Sequence, residues 1–221
     1  EFRRVLFRSQ LSQYLNHAKQ PVVLAGAGIN HSKSNDLLTE FVTHHQIPVV
    51  TTLLGLGAIP YENPLFLGMG GMHGSYASNM ALTECDLLIN LGSRFDDRLA
   101  SNPNEFAPNA KVVHIDIDES EINKVIPTTL GIVADCKKVL ETLVTEHQSH
   151  ATYKEWVDHC LDNKSKHPFK YKEANDTFCR PQEAIEYIGK ITNGEAIITT
   201  DVGQHQMWSA QFYPFKHHSQ W

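Results

Sequence analysis

Short apolar runs alternate with helical segments along most of this 221-residue chain. Five runs are predicted as strands: PVVLAG (21–26), IPVVTT (47–52), DLLINLG (86–92), KVVHIDID (111–118) and TLGIVAD (129–135). Helical periodicity is found in SNDLLTEFVTHHQ (34–46), in KKVLETLVTEH (137–147) and from about 73 to 84. Strands that are apolar throughout, separated by amphipathic helices, predict a parallel sheet with both faces covered. We therefore expect a doubly wound, Rossmann-like α/β fold.

The same patterns divide the chain into three expected parts, a central domain (10–148), a polar interdomain linker (149–178) and the start of a second domain (179–221). The central domain is expected to contain a glycine- and proline-rich loop over 53–72, and the linker one amphipathic helix around Trp156. The second domain should begin with a helix over 180–192, because Pro181 suits a first helical turn. A strand over 195–201 and a helix from Gln204 should come next.

Both ends of the chain look unlike natural domain ends. The opening EFRRVLFRS (1–9) holds three of the six arginines and fits no periodic pattern that continues into residue 10 and beyond. We expect it to be a foreign leader outside the fold. Because the chain stops at Trp221, directly after an aromatic-rich segment, we expect it to be a piece of a longer protein.

Composition limits the classes of partner. A formal net charge of -6 and 20% charged residues give no basic surface for nucleic acid or for an anionic membrane. No apolar stretch approaches the roughly 18 residues of a membrane span. The four cysteines form no CxxC pair and no metal-ligand cluster, so we expect reduced thiols in a soluble, cytoplasmic protein. Small molecules or other protein chains are the expected partners.

Every predicted strand ends in glycine, hydroxyl or charged residues. In an open parallel sheet these carboxyl ends share one rim, and ligands bind beyond it. The residues concerned are Gly26, Ala27 and Gly28, then Thr51 and Thr52, then Gly92 through Arg98, then Asp116 and Asp118, and finally Asp135. A long ligand with phosphates and ribose would need such groups, so the rim is predicted to be a nucleotide crevice.

Each of these motifs also has an ordinary structural explanation. GAGINH (26–31) is not a full GxGxxG, and no acid follows about 20 residues later, which disfavours a standard NAD dehydrogenase. Arg94 and Arg98 could pair with Asp96 and Asp97 in a solvated turn. Alternatively, the arginines bind phosphate or stack on a planar ring while the aspartates hold them in position.

Three further motifs remain open in the same way. Asp116 and Asp118 could end a strand and precede a short helix capped by Ser120, or one of them could bind a ribose diol. In GMHGS (71–75), His73 stands at an expected helix start, which suits an anion or a carbonyl, but it could equally be a packed turn residue. In TDVGQHQMW (200–208), Gln204 and His205 either hold a diphosphate or cap a helix whose Met207 and Trp208 are core.

Together these segments resemble one family, the catalytic large subunits of acetolactate synthase, which depend on thiamine diphosphate. The similarity runs in order from about 10 to 221 through LLGLGAIP, LGMGGMHGSYASNMAL, DLLINLGSRFDDR, KVVHIDIDESEINK and TDVGQHQMWSAQFY. It implies a three-domain subunit, of which this chain carries the FAD-binding central domain and the start of the thiamine-diphosphate domain. By position, the resemblance assigns FAD contacts to Gly26, Ala27, Gly28, Thr52, Leu53, Met72, His73, Gly92, Arg94, Asp96, Arg98, Asp116, Ile117 and Asp135. It assigns the diphosphate of thiamine to Gln204 and His205.

The family decarboxylates pyruvate on thiamine diphosphate and joins the two-carbon unit to pyruvate or 2-oxobutyrate, in branched-chain amino-acid biosynthesis. Its flavin undergoes no net redox. The resemblance further implies Mg²⁺, a homodimer or homotetramer, and a small regulatory subunit. The glutamate that activates the cofactor and the GDG...N segment that holds Mg²⁺ have no counterpart in this sequence, so we expect this chain alone to be inert. Rival interpretations are a glyoxylate carboligase or pyruvate oxidase, a sirtuin-like NAD-binding protein, and a non-catalytic nucleotide-binding module.

Overall fold

The computed structural model describes residues 2–146, 152–172 and 178–221. Its strands are β1 (Pro21–Ala25), β2 (Val49–Thr51), β3 (Phe66–Met69), β4 (Leu87–Leu91), β5 (Lys111–Asp116) and β6 (Leu130–Val133). Its helices are α1 (Phe2–His17), α2 (Ala27–Ser32), α3 (Asn35–His45), α4 (Tyr76–Glu84), α5 (Cys136–Glu146), α6 (Lys154–Lys166), α7 (Pro181–Ile191) and α8 (Gln204–Phe212). Among the described residues, no helix has both the length and the apolar character needed to cross a membrane.

The strands form one six-stranded sheet in the order β3-β2-β1-β4-β5-β6, and every neighbouring pair is parallel. All residues of β1 and β4 are buried, as expected for central strands with both faces covered. The chain leaves β1 through α2 and α3 toward one edge, and it returns from β3 through α4 toward the other. Helices α2 and α3 pack against α5, whereas α4 packs against α6. The helices thus form two layers, as right-handed crossovers to opposite edges of the sheet predict. The predicted doubly wound α/β fold is confirmed.

One strand was missed in the sequence. Phe66–Met69 forms β3 at the edge of the sheet, inside the segment that was predicted as a glycine- and proline-rich loop. The strand has only four residues, contains Gly68 at φ 116°, and pairs with β2 through a register shift after Val49. Such a short, irregular edge strand lacks the alternation that identifies strands in sequence. The prediction of a continuous loop is therefore wrong.

The amino-terminal segment is helical in the structure. Residues from Phe2 onward belong to α1, and Leu11 and Leu15 of that helix are fully buried in the main core. Helix α1 therefore begins within 1–9, and the expectation that this segment lies outside the fold stays a prediction. Glu1 lies outside the described residues. The expected foreign origin of 1–9 stays a prediction.

Helix α6 confirms the amphipathic helix expected around Trp156. The Trp156 indole N–H donates to the Pro21 carbonyl at 2.9 Å, and the Tyr153 hydroxyl donates to the Leu15 carbonyl at 2.6 Å. Trp156, Val157 and Cys160 are part of the main core. This helix therefore packs on the sheet domain, although the sequence placed it in a linker. The flanking residues 147–151 and 173–177 lie outside the described residues.

The carboxyl-terminal part contains the two predicted helices, α7 and α8, but not the predicted strand. Residues 195–201 have no regular secondary structure, and the Ile198 N–H donates to the Gln220 carbonyl at 2.7 Å. A strand requires a neighbouring strand, and in the described part of the chain none lies beside this segment. The prediction of a strand here is wrong. A small core around Leu56, Met69 and Tyr213 joins α8 to the sheet domain.

Candidate functional site

The strand order places a crevice at one defined point of the rim. Strands β1 and β4 are neighbours, and the chain leaves them toward opposite edges of the sheet. The loops after these two strands therefore diverge, which opens a cleft above their carboxyl ends. Gly26 to Gly28 follow β1, and Gly92 to Arg98 follow β4. The two motifs that the sequence emphasised meet at this topological switch point.

Glycines allow the two loops to touch. Gly28 N–H donates to the Gly92 carbonyl at 2.9 Å, and Gly26 N–H donates to the Leu91 carbonyl at 2.9 Å. A Cβ on Gly28 would lie 2.6 Å from Gly92 Cα, and a Cβ on Gly26 would collide with the Gly92 carbonyl. Gly92 itself has φ 64°, which favours glycine. The glycines thus leave the floor of the cleft as bare backbone, free of side chains.

The turn after Gly92 exposes two arginines. Asp96 Oδ1 accepts the N–H groups of Arg98 and Leu99, each at 3.0 Å, so this aspartate fixes the backbone of the turn. Arg94 and Arg98 are exposed and form no ion pair with any described residue. The predicted alternative of an internally paired turn is not observed, and the aspartate holds the turn through its backbone. The arginine charges remain available for an anion.

The loop after β3 closes over the same turn. Met72 N–H donates to the Arg98 carbonyl at 2.8 Å, and the Gln211 side chain donates to the His73 carbonyl at 3.0 Å. Helix α4 begins only at Tyr76, with Ser75 as its cap. The expectation that His73 stands at a helix start is therefore wrong, and this residue belongs to the preceding turn. His73 still lines the cleft.

The ends of β5 and β6 supply carboxylates. Asp116 Oδ1 accepts the Asp118 N–H at 2.9 Å, and His114 Nε2 lies 3.8 Å from Asp116 Oδ2. Partial burial by itself would raise the pKa of Asp116. The His114 ring and the Asp118 N–H outweigh burial and lower that pKa below its ordinary value. The carboxylate is therefore ionised at neutral pH and can accept hydrogen bonds from hydroxyl groups.

Two neighbouring aspartates have capping roles. Asp118 Oδ1 accepts the Ser120 N–H at 2.9 Å, so Asp118 caps the short 3₁₀ turn and the prediction of Ser120 as the cap is wrong. These hydrogen bonds to Ser120 also lower the pKa of Asp118. Asp135 Oδ1 accepts the Lys137 N–H at 2.8 Å at the start of α5. Both carboxylates face the cleft from fixed positions.

These loops enclose a cavity of about 1010 Å³. Its lining includes all residues assigned to FAD by resemblance except Gly26: Ala27, Gly28, Thr52, Leu53, Met72, His73, Gly92, Arg94, Asp96, Arg98, Asp116, Ile117 and Asp135. The guanidinium-bearing turn and the Gly28 turn thus lie on the same side of the sheet. The tertiary fold brings together residues spread over more than a hundred positions of the chain.

Several lining residues were not predicted. Some adjoin predicted positions and could have been found by extending the motifs, namely Leu54, Ala134 and Cys136. His31 and Ser32 lie one turn beyond Gly28 in α2, and the Ser32 hydroxyl donates to the Gly28 carbonyl at 2.7 Å. Val202, Gln206 and Met207 also line the cavity. All three belong to the motif TDVGQHQMW (200–208), but which of its residues face the cavity depends on how the carboxyl-terminal part packs.

Gln204 and His205 do not line this cavity. Both are exposed in the first turn of α8, whereas Gln206 and Met207 face the cavity. The helix therefore separates two environments, and its amino terminus presents Gln204 and His205 outside the cleft. The assignment of these two residues to a diphosphate stays a prediction.

Comparisons with known proteins match most of the chain. The family described as "Thiamine pyrophosphate enzyme, central domain" matches residues 9–143. The chain is 52% identical over 207 residues to the acetolactate synthase large subunit of Lactococcus lactis, which covers 94% of this chain and 36% of that protein. It is 41% identical over 217 residues to acetolactate synthase 1, chloroplastic, of Nicotiana tabacum, and the match covers 96% of this chain and 32% of that protein. It is 39% identical over 216 residues to the acetolactate synthase large subunit of Corynebacterium glutamicum, and the match covers 96% of this chain and 34% of that protein. The chain thus spans about a third of the length of the relatives it matches.

Proposed function

We propose that this chain is the flavin-binding centre of an acetolactate synthase large subunit, on the premise that it belongs to the thiamine pyrophosphate enzyme family through its central domain. Its relatives in Lactococcus lactis, Nicotiana tabacum and Corynebacterium glutamicum carry the name acetolactate synthase, and the identity extends beyond the central domain into the carboxyl-terminal part. The observation that carries the proposal is the cavity at the switch point, where the residues assigned to FAD converge.

The cavity fits a dinucleotide in size and charge. Its volume of about 1010 Å³ lies at the upper end of the range of roughly 300 to 1,000 Å³ that ligand pockets occupy. Arg94 and Arg98 offer cationic forks without an ion-pair partner among the described residues, which suits a diphosphate. The ionised Asp116 suits the hydroxyls of a ribose, and the glycine floor admits close approach of the ligand to the backbone.

The cavity also offers apolar surface for a large flat ring. Leu54, Met72, Ile117 and Val202 line it and are 63%, 53%, 74% and 83% exposed. Large apolar side chains with such exposure commonly mark a binding surface. A flavin provides apolar ring area to cover them, and its adenosine diphosphate part provides the charge that the arginines require. FAD therefore matches both the charged and the apolar parts of the cavity lining.

In this proposal the chain's own residues bind and orient. Arg94 and Arg98 would hold the diphosphate of FAD, and Gln204 with His205 would contact the diphosphate of thiamine on the outer side of α8. When bound, thiamine diphosphate with Mg²⁺ supplies the carbanion chemistry by which pyruvate is decarboxylated and joined to pyruvate or 2-oxobutyrate. Helix α8 would then be the shared wall between the two cofactors, because Gln206 and Met207 face the cavity.

The remaining parts of the function belong to the whole protein and are proposed with it. They are assembly into a homodimer or homotetramer, a small regulatory subunit, and a cytoplasmic location, which suits four cysteines that form no disulfide. Because the chain spans about a third of its relatives, we propose that it is catalytically inert by itself.

Flavin binding to the purified 221-residue chain tests the proposal. Equilibrium dialysis should give saturable binding of one FAD per chain, and a large excess of NAD⁺ should not displace it. Pyruvate supplied with thiamine diphosphate, Mg²⁺ and FAD should release no carbon dioxide. Tighter binding of NAD⁺ than of FAD would favour a sirtuin-like protein and contradict the proposal, as would the absence of FAD binding. For the protein with the length of its relatives, a product screen with pyruvate, 2-oxobutyrate and glyoxylate separates acetolactate synthase from glyoxylate carboligase and pyruvate oxidase.

A further inference from the structure

Two polar side chains lie side by side inside the apolar sheet. Asn90 on β4 and His114 on β5 are register partners, and both are fully buried. Register partners on adjacent parallel strands project to the same face of a sheet. The other residues of β4 are leucine or isoleucine, so this polar pair is an exception within its strand.

Both side chains hold one backbone carbonyl. The Asn90 amide donates to the Ser93 carbonyl at 2.6 Å, and His114 Nε2 lies 3.0 Å from the same oxygen. A carbonyl only accepts, so His114 Nε2 must carry the hydrogen. The two donors occupy both lone pairs of the oxygen. The Ser93 carbonyl is therefore fixed from two neighbouring strands.

A contribution to folding stability does not explain why two polar side chains are buried here. Asn90 Oδ1 and His114 Nδ1 are buried and have no hydrogen-bond partner among the described residues. Buried polar atoms without partners destabilise the folded state, whereas an apolar pair of similar shape at the same place can be neutral or stabilising. The pair is thus better explained by what it positions.

The held segment surrounds Arg94. Ser93 precedes this arginine, and its carbonyl is the one bonded by His114 and Asn90. Phe95 follows it, is buried, and packs edge-on against the His114 ring with 5.0 Å between centroids. The backbone on both sides of Arg94 is thus tied to His114, while Arg94 itself is exposed and lines the cavity.

We infer that His114, together with Asn90, is a positioning residue that fixes the turn around Arg94 and so aims its guanidinium at an anionic ligand in the cavity. His114 acts on the turn through Ser93 and Phe95, and it does not line the cavity. Its Nε2 also lies 3.8 Å from Asp116 Oδ2, so the Asn90 variant isolates the effect on the turn. The identity of that ligand as the diphosphate of FAD rests on the proposed function. The effect on the turn does not, because it exists in the free chain.

The test compares three substitutions with a matched control in the 221-residue chain. His114→Leu and Asn90→Leu each remove one donor, and His114→Gln keeps an N–H donor near the Nε2 position. His45→Leu is the control, because His45 is also a buried histidine but lies on α3 and does not line the cavity. Hydrogen exchange of the peptide covering 92–99 is measured without ligand, and FAD affinity is measured by dialysis.

We expect His114→Leu and Asn90→Leu to speed exchange in 92–99 and to weaken FAD binding, each by about 10-fold. His114→Gln should stay within about 3-fold of the unsubstituted chain in both measurements. In an Arg94→Gln background, Asn90→Leu should weaken FAD binding by less than about 3-fold more, since Asn90 acts on the turn through the Ser93 carbonyl. His45→Leu should leave both measurements unchanged.

The inference is overturned if His114→Leu leaves exchange in 92–99 unchanged, or if His45→Leu speeds it equally. It is also overturned if the full loss of FAD affinity persists in the Arg94→Gln background. Should His114→Leu fail to fold, Asn90→Leu decides by the same criteria. If the unsubstituted chain binds no FAD while the exchange pattern is as expected, the proposed function fails and the positioning of the turn stands.

Discussion

The backbone N–H of Gly28 donates to the carbonyl of Gly92 at 2.9 Å, which joins the loop after β1 to the loop after β4. The contact leaves no room for a side chain on either residue, since a Cβ on Gly92 would lie 2.5 Å from Gly28 Cα. It defines the floor of the cavity and the start of the turn that carries Arg94. Substitution at either glycine should therefore disturb the whole site.

Replacing Gly92 with alanine should destabilise the protein by about 1 to 3 kcal/mol, because φ is 64° and the new methyl group meets backbone. Urea unfolding followed by circular dichroism measures the change. The control is Gly70→Ala, also on the cavity wall, where a Cβ meets mainly the tips of Leu82 and Val50 and φ is not positive. An equal loss for both variants would contradict the backbone contact as the cause.

Replacing Arg94 or Arg98 with glutamine should weaken FAD binding by about 10- to 100-fold, because each guanidinium supplies charge-assisted hydrogen bonds to a diphosphate. Dialysis at two salt concentrations measures the affinity, and the salt dependence should decrease in each variant. Arg180→Gln is the matched control, since Arg180 is exposed at the start of α7 and does not line the cavity. Unchanged affinity in both cavity variants would argue against a diphosphate at this position.

The lowered pKa of Asp116 predicts a pH dependence of stability. A carboxyl whose folded-state pKa lies below its unfolded value stabilises the fold above the unfolded pKa, which is about 4 for aspartate. This contribution is lost as pH falls through the lower folded-state pKa. Asp116→Asn should therefore be less stable than the unsubstituted chain at pH 7, and the difference should shrink below about pH 4. The exposed Asp97→Asn is the control, and a difference that grew toward acid pH would have the wrong sign.

The cysteines should differ in reactivity. Burial, which is the largest cause in each case, raises the pKa of Cys85, Cys136 and Cys160 to about 12, so all three remain protonated thiols at about pH 8. Cys179 is exposed. A thiol reagent should therefore label one cysteine in the native chain and all four in denaturant, and Cys179→Ser should abolish native labelling. Rapid native labelling of Cys136 would contradict the packing of α5 against Gly92.

Helix α6 should be essential to the stability of the sheet domain. Trp156 is 4% exposed and donates to the Pro21 carbonyl of β1. Trp156→Ala should cost about 3 to 5 kcal/mol of unfolding free energy, and Trp156→Phe should cost about 1 kcal/mol through loss of the hydrogen bond. Urea unfolding measures both, and Phe178→Ala is the control because Phe178 is 70% exposed. A loss below about 1 kcal/mol for Trp156→Ala would place α6 outside the domain core.

Much of the site could be predicted because the rim of a parallel sheet collects the residues that come after its strands. Gly28, Gly92 and Asp116 each lie at or shortly after the end of a strand whose apolar run is plain in the sequence, so the fold class was enough to predict their convergence. Asp118 and Ser120 show one limit of prediction from sequence. Which of two nearby polar residues caps a turn depends on local backbone angles, and here Asp118 is the cap. The predicted strand over 195–201 shows a second limit, because a strand forms only when a partner strand lies beside it.

By itself, the sequence determined the periodicities, and hence the α/β class, most of the elements and the polar groups at the strand ends. Only the tertiary structure decided that β3 joins the edge of the sheet, that α6 packs on β1, and that Val202, Gln206 and Met207 complete the cavity. The physical reason is the distance along the chain over which the interactions act. Periodicity and turn chemistry are set by neighbours along the chain, whereas strand order and helix docking are set by burial between segments far apart in sequence.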